Sequence, residues 1–257
     1  MRGWWRGRQD RRRAGARARR KYNELRRSWL RRTRALWCWT VVCLAVVWAA
    51  SSYLFTVIWP QSLAIWFSGV VAGAAMTMVI ALRLTPPGSI EMWQDGAYGE
   101  EATAKVLGEL PAGQWTVLHD LANGRFNFDH VVIGPPGVFC LNSKFSAYRL
   151  QAAESGALVG VHVDDPTLTK RIDRDISGAK WEAVALRNQI EKRSGRKVWV
   201  QPVIVWWGPY PDGGRTVEGV AVVQGKELVT RISRLPSKPT TDLESVCEVL
   251  RPGRHRR

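Results

Sequence analysis

The stretch Asn127-Phe128-Asp129-His130-Val131-Val132-Ile133-Gly134-Pro135-Pro136-Gly137-Val138-Phe139-Cys140-Leu141-Asn142-Ser143-Lys144 decides the fold. Two runs rich in β-branched and aromatic residues flank a Gly-Pro-Pro-Gly connector. Such a short connector with two prolines predicts a tight hairpin between strands at 127–133 and 138–144. If Ile133 faces Val138, paired positions sum to 271 and Asp129 lies opposite Asn142. Side chains alternate faces along a strand, so Asn142 and Lys144 share a face. Directly opposed Cβ atoms are about 5 Å apart. Asp129, Asn142 and Lys144 are therefore expected to converge, on a face whose other members, Val131, Ile133, Val138 and Cys140, are apolar. An unpaired charge there is costly to bury. Either Asp129 and Lys144 pair with each other, or they meet a ligand at the end of the sheet.

Around this hairpin the signals alternate. A helix is predicted over 95–110, ended by Pro111 and Gly113. A strand follows at 115–121, with a turn at Ala122-Asn123-Gly124. Residues 148–163 suggest an extra hairpin. In the next helix, at about 176–192, Ile176, Ala179, Ala183, Leu186 and Ile190 step by three and four residues and form one apolar face. Val198–Trp207 is the strongest strand signal, with another at 217–223 and short helices at 226–232 and 242–250. The core order α-β-β-β-α-β predicts an α/β domain, one mixed sheet flanked by helices. Within the first helix Glu100 shares a side with Thr103, Ala104 and Leu107. Glu101 has Lys105 at i+4, the spacing of a solvent-side pair. A first-turn acid such as Glu100 is also what a helix dipole favours.

The rest of the chain is unlike this domain. Of the formal charge of +16, residues 1–34 carry +13, from fourteen Arg and Lys21 against Asp10 and Glu24. No charged residue then occurs from Ala35 to Leu82. That run accommodates two membrane spans, near 37–58 and 63–82, each long enough for a bilayer core that needs about 20 apolar residues. Trp59-Pro60-Gln61-Ser62 divides them, and Trp37, Trp39, Trp59 and Trp66 lie near the span ends as an interfacial aromatic belt. The apolar segment begins too late for a signal peptide. The positive-inside rule keeps the Arg-rich tail in the cytosol, and two spans return the C-terminal part to the same side. Cys140 and Cys247 are then expected as free thiols.

The expected layout is a basic tail (1–34), a transmembrane hairpin (35–83), a linker (84–94) around Pro86-Pro87-Gly88-Ser89, the α/β domain (95–235) and a C-terminal helix with a basic tail (236–257) whose Arg254, His255, Arg256 and Arg257 end the chain. Anionic lipid is the nearest partner for the N-terminal tail. A nucleic-acid-binding arm is the alternative, with Trp4, Trp5, Tyr22 and Trp29 available for stacking. Gly69 and Gly73 form a GxxxG that suits either packing on the first span or association with a second copy. Two spans without an intramembrane ionisable residue give no ion path, which argues against a channel or transporter. Four scattered Cys and four His, with no CxxC or HxxxH, argue against a zinc site.

Gly99-Glu100, Val117-Leu118-His119-Asp120-Leu121, the Asn127–Phe139 string and Lys144 together resemble the NERD (nuclease-related) domain of the PD-(D/E)xK restriction-endonuclease-like superfamily. The resemblance covers about residues 92–235. It implies a restriction-endonuclease-like core and a metal-dependent phosphodiesterase of bacterial type, acting on DNA or RNA. Asp129 then ligates Mg²⁺, the residue two before the lysine supplies a second ligand, Lys144 positions water or phosphate, and Glu100 completes the site. This chain departs from the pattern at Asn142, where an acid is expected. An amide oxygen can ligate Mg²⁺ but brings no charge. Glu101 and Asp120 are the substitutes the sequence offers. The alternative reading is a catalytically inactive module of the same fold that binds nucleic acid or a partner protein at the membrane. Lys170, Arg171, Arg174, Lys180, Arg187, Lys192, Arg193, Arg196 and Lys197 could hold a phosphate backbone, though acids are interspersed. His130 is expected on the opposite strand face from Asp129, as a packing residue.

Overall fold

The β2–β3 hairpin (Phe126–Gly134 and Gly137–Phe145) stands at the centre of the α/β unit and has the register read from the sequence: Ile133 faces Val138 and His130 faces Leu141. Pairing continues to Gly134 and Gly137, so the turn between them is only Pro135-Pro136. A Cβ at Gly134 would overlap the Trp115 ring, which is why the hairpin end needs glycine there. In this computed structural model the described residues are 14–58, 60–124, 126–153, 156–234 and 243–250. Trp4, Trp5, Trp59 and the C-terminal arginines, all given roles above, lie outside them.

Strand β1 (Thr116–Asn123) pairs antiparallel with β2. Strand β7 (Val200–Trp207) pairs parallel with β3, and β9 (Val220–Gln224) parallel with β7, with β8 (Gly214–Val217) antiparallel at the edge. The sheet order is β1-β2-β3-β7-β9-β8. Parallel neighbours need a crossover, and α5 (Asp173–Ser194) supplies it between β3 and β7. The signal at 217–223 is two strands rather than one, because Glu218 and Gly219 take positive φ and turn the chain. The segment 148–163 forms β4 (Tyr148–Ala152) and β5 (Leu158–His162), which join β6 (Thr169–Arg171) in a separate three-stranded sheet.

Alternation along the strands sorts the core onto two faces. Val131, Ile133, Val138, Cys140 and Val200 pack with Ala183, Leu186 and Ile190 of α5 and with α7 (Leu243–Leu250). Val132, Phe139, Leu141, Val203 and Val205 pack with Leu107 of α4 (Gly88–Leu107) and with Leu228 and Ile232 of α6 (Leu228–Ile232). All five members of the apolar stripe read for α5 are buried. The α/β class, a mixed sheet with helices on both faces, is as expected. Helix α4 starts at Gly88, inside the stretch read as linker; Pro87 precedes it, and its carbonyl accepts from the Ile90 and Glu91 amides, so the proline opens the helix instead of breaking it.

The Arg-rich stretch carries α1 (Ala16–Arg32). The uncharged run forms α2 (Arg34–Ile58) and α3 (Gln61–Leu84), and each is long and apolar enough to cross a membrane, over Trp37–Val57 and Gln61–Leu84. Nothing lies within 4 Å of a Cβ placed on Gly69 or Gly73, so these glycines are not where α2 and α3 approach each other. No disulfide joins the four cysteines.

Gly134→Ala should lower stability by about 1–3 kcal/mol through overpacking against Trp115. Gly69→Ala should leave it unchanged or slightly raised. Thermal unfolding of the full chain in detergent, followed by near-ultraviolet circular dichroism, checks both. Equal melting temperatures for Gly134→Ala and the parent would contradict the packing described.

Candidate active site

The site lies where the hairpin strands leave their ladder. The register would place Asp120 opposite Asp129, yet both drop out of the β1–β2 pairing, which resumes at Leu121–Phe128. Asp120 has φ of 51°, a left-handed conformation uncommon for a non-glycine residue. Beyond this break the alternation inverts: Phe128 and Val131, three apart, share a face. The simple alternation assumed for Asp129 therefore stops at Asp129 itself. Its Oδ2 accepts a hydrogen bond from the Ser143 backbone N–H at 2.9 Å, tying it to β3 near Asn142 and Lys144.

Asn142 is 8% exposed and sits on the α5 side of the sheet, where its Nδ2 donates to Oε1 of Glu182 at 2.7 Å. Glu182 lies three residues after Ala179 and four before Leu186, at the edge of the apolar stripe. The other two oxygens of this pair, Asn142 Oδ1 and Glu182 Oε2, are buried and have no hydrogen-bond partner. Buried polar atoms of this kind are rare and call for an explanation. Lys144 does not pair with Asp129. Its Nζ stands 3.5 Å from Asp175 in the first turn of α5, which Lys170 also approaches at 3.5 Å.

On the other face, α4 is held against the sheet by Thr103. Its hydroxyl donates to the Gly99 carbonyl and accepts from Ser143 Oγ and Trp207 Nε1, each at 2.8 Å. Gly99 comes so close that a Cβ there would stand 3.2 Å from the Phe145 nitrogen. This contact brings Glu100 to the strand end. Glu100 is partly buried, and its Oε2 accepts from the Gly15 N–H at 2.9 Å. Glu101 accepts from Nε and Nη2 of Arg19, each at 2.7 Å, rather than pairing with Lys105. His130 is fully buried and its Nδ1 meets Nδ1 of His119 at 2.7 Å, in keeping with a packing role.

The electrostatics make Asp129 the common neighbour of two glutamates. Desolvation first, and then the Asp129 charge, push Glu100 up to about 8. The same two causes push Glu182 up to about 7, against the hydrogen bond from Asn142 and the charge of Lys144. Burial raises Asp129 to about 6, opposed by the Ser143 amide and by Lys144. Crowded carboxylates in a dehydrated rim favour a proton or a cation.

Among the described residues, no group of three or more His, Cys, Asp or Glu side chains is arranged to hold a metal ion. Asn142 is hydrogen-bonded to Glu182, and the Asp129 charge acts on Glu182. Sequence reasoning missed Glu182 and Asp175. For Glu182 a signal existed, since a glutamate three after Ala179 and four before Leu186 lies on the flank of the buried face.

Residues 95–207 match the family model NERD, described as the nuclease-related domain, so this part of the chain is a nuclease-related domain. No curated protein and no solved structure matches the chain.

With its pKa raised from 4.5 to about 7, Glu182 destabilises the metal-free fold above the unfolded value, and the cost is complete once pH passes about 7. Below 4.5 the effect vanishes. Glu182→Gln should therefore gain stability relative to the parent by about 2 kcal/mol between pH 5 and pH 8 in chelator-containing buffer. Paired thermal melts at the two pH values measure this. A difference that stays constant with pH would contradict the burial of this carboxyl.

Proposed function

We propose that the chain is a membrane-tethered, cytosol-facing nuclease of the nuclease-related class, hydrolysing phosphodiester bonds in DNA or RNA with Mg²⁺. What supports this reading is Asp129 tied to the Ser143 amide, between Asn142 and Lys144 on β3 of a nuclease-related domain, with the buried Asn142 amide oxygen left unpartnered. Hard oxygen ligands plus retained water and substrate phosphate are what Mg²⁺ takes. The residues fit such an ion: Asp129 is fixed through one oxygen by the Ser143 amide, and Asn142 Oδ1 has no other use.

When bound, Mg²⁺ polarises the phosphoryl group and acidifies a water molecule. The chain's own side chains do the remainder. Asp129 and Asn142 would hold the ion at the rim. Lys144, whose side chain is 35% exposed and whose ion pair with Asp175 is long, swings to a phosphate oxygen or to the attacking water. Glu100, coupled to Asp129 by charge, completes the acidic rim on the α4 side.

The two apolar helices act as an anchor. The Arg-rich N-terminal segment stays cytosolic and rests on anionic lipid, each basic residue contributing about 1 kcal/mol near such a surface. An even number of spans then leaves the nuclease-related domain in the cytosol. Gly69 and Gly73 face open space, which leaves them available for a second copy. A second reading, a binding module without catalysis, is favoured by Asn142, which removes one negative charge from the ion site.

Purified full chain in detergent should nick plasmid DNA or cut RNA in Mg²⁺ and not in chelator. Asp129→Ala and Lys144→Ala should each lower the rate at least about a hundredfold. Cleavage that survives both substitutions would refute the assigned site. Salt-dependent nucleic-acid binding without cleavage would favour the second reading.

A further inference from the structure

We infer that Glu182, on the crossover helix, is the carboxylate that replaces the acid missing at position 142, so that the ion site is Asp129, Asn142 Oδ1 and Glu182 Oε2. The inference rests on the reading that Asp129 belongs to a metal site, and it specifies that site.

Three observations carry it. First, Asn142 is more than nine-tenths buried and divides its amide: Nδ2 donates to Glu182 Oε1, while Oδ1 accepts nothing. An amide buried for structural reasons alone would be expected to satisfy both ends. Second, Glu182 repeats the pattern: Oε1 accepts from Asn142, and Oε2 is buried without a partner. Two orphaned oxygens on hydrogen-bonded side chains are candidate cation ligands and a poor way to fill a core. Third, the other glutamate is engaged elsewhere. Glu100 approaches from the α4 side, where the Gly15 N–H already holds its Oε2.

The hydrogen bond between Asn142 and Glu182 then has a use. A carboxylate at position 142 would place two like charges 2.7 Å apart against Glu182, whereas an amide there can donate to Glu182 and still offer its oxygen to the ion. Asparagine at 142 and glutamate at 182 are a matched pair. The carboxylate has been moved from the strand to the helix that crosses over it, and the number of acids at the site is kept.

Mn²⁺ binding to the full chain in detergent, measured by isothermal titration calorimetry, tests this without reference to cleavage. Asp129→Asn and Glu182→Gln should each weaken binding at least about tenfold. Glu100→Gln should cost less than Glu182→Gln. The double variant Asn142→Asp, Glu182→Gln should recover most of the lost affinity, because it returns the carboxylate to the strand. Recovery also excludes misfolding as the cause of the loss in Glu182→Gln. If Glu182→Gln binds like the parent while Asp129→Asn does not, Glu182 is no ligand and only the inference fails. If the parent takes up no Mn²⁺, the metal-dependent reading itself fails, and the inference with it.

Discussion

A carboxylate at a dehydrated strand end, with one backbone amide and one nearby ammonium to balance it, is the constraint around which this domain is arranged. Asp129 is raised by its burial and is held at the point where β2 leaves its ladder with β1. The neighbouring elements each bring something to that point. Strand β3 brings the Ser143 amide, Asn142 and Lys144. Helix α4 brings Glu100, and it can do so only because Gly99 lets it lie against Phe145 and because Thr103 ties it to Ser143 and Trp207. Helix α5 brings Glu182 and Asp175 from the opposite face. Leaving such a set uncompensated would cost several kcal/mol, since burying charge without a partner is unfavourable. In the proposed reading a cation would resolve that cost.

The part of this arrangement that could be read from the sequence is the part fixed locally. The proline-containing turn and the period of two set the β2–β3 register, and positions that sum to 271 pair from Gly134–Gly137 to His130–Leu141, while Asp129 and Asn142 lie one step beyond the ladder. The period of 3.6 found the buried face of α5. Two apolar runs without charge stood out before any folding argument was made. What escaped depends on tertiary context. Glu218 and Gly219 turn one apparent strand into two through their positive φ. Pro86 and Pro87 looked like linker residues, but a proline before a glycine-led helix serves equally as its start. Arg19, far away in sequence, takes Glu101 from its i+4 partner.

The site was half legible for the same reason. Asp129, Asn142 and Lys144 lie on one hairpin, so the sequence places them near one strand end, although Asp129 meets the Ser143 amide, Asn142 meets Glu182 and Lys144 meets Asp175. Glu182 reaches Asn142 only through the crossover that lays α5 on the sheet, a contact spanning forty positions. Its place beside Ala179 and Leu186 marked it as an acid drawn toward the core, but only the fold says which partner it meets there. At the departure, Asn142 hydrogen-bonds a carboxylate supplied by another element, Glu182 of α5.

Anomalous diffraction from crystals of the protein soaked in Mn²⁺ addresses the central claim most directly. The account predicts one strong peak among Asp129, Asn142 Oδ1 and Glu182 Oε2, with Lys144 within reach of the same pocket. A peak at some other group of side chains, or Asp129 and Glu182 turned apart with no peak between them under saturating Mn²⁺, would contradict it.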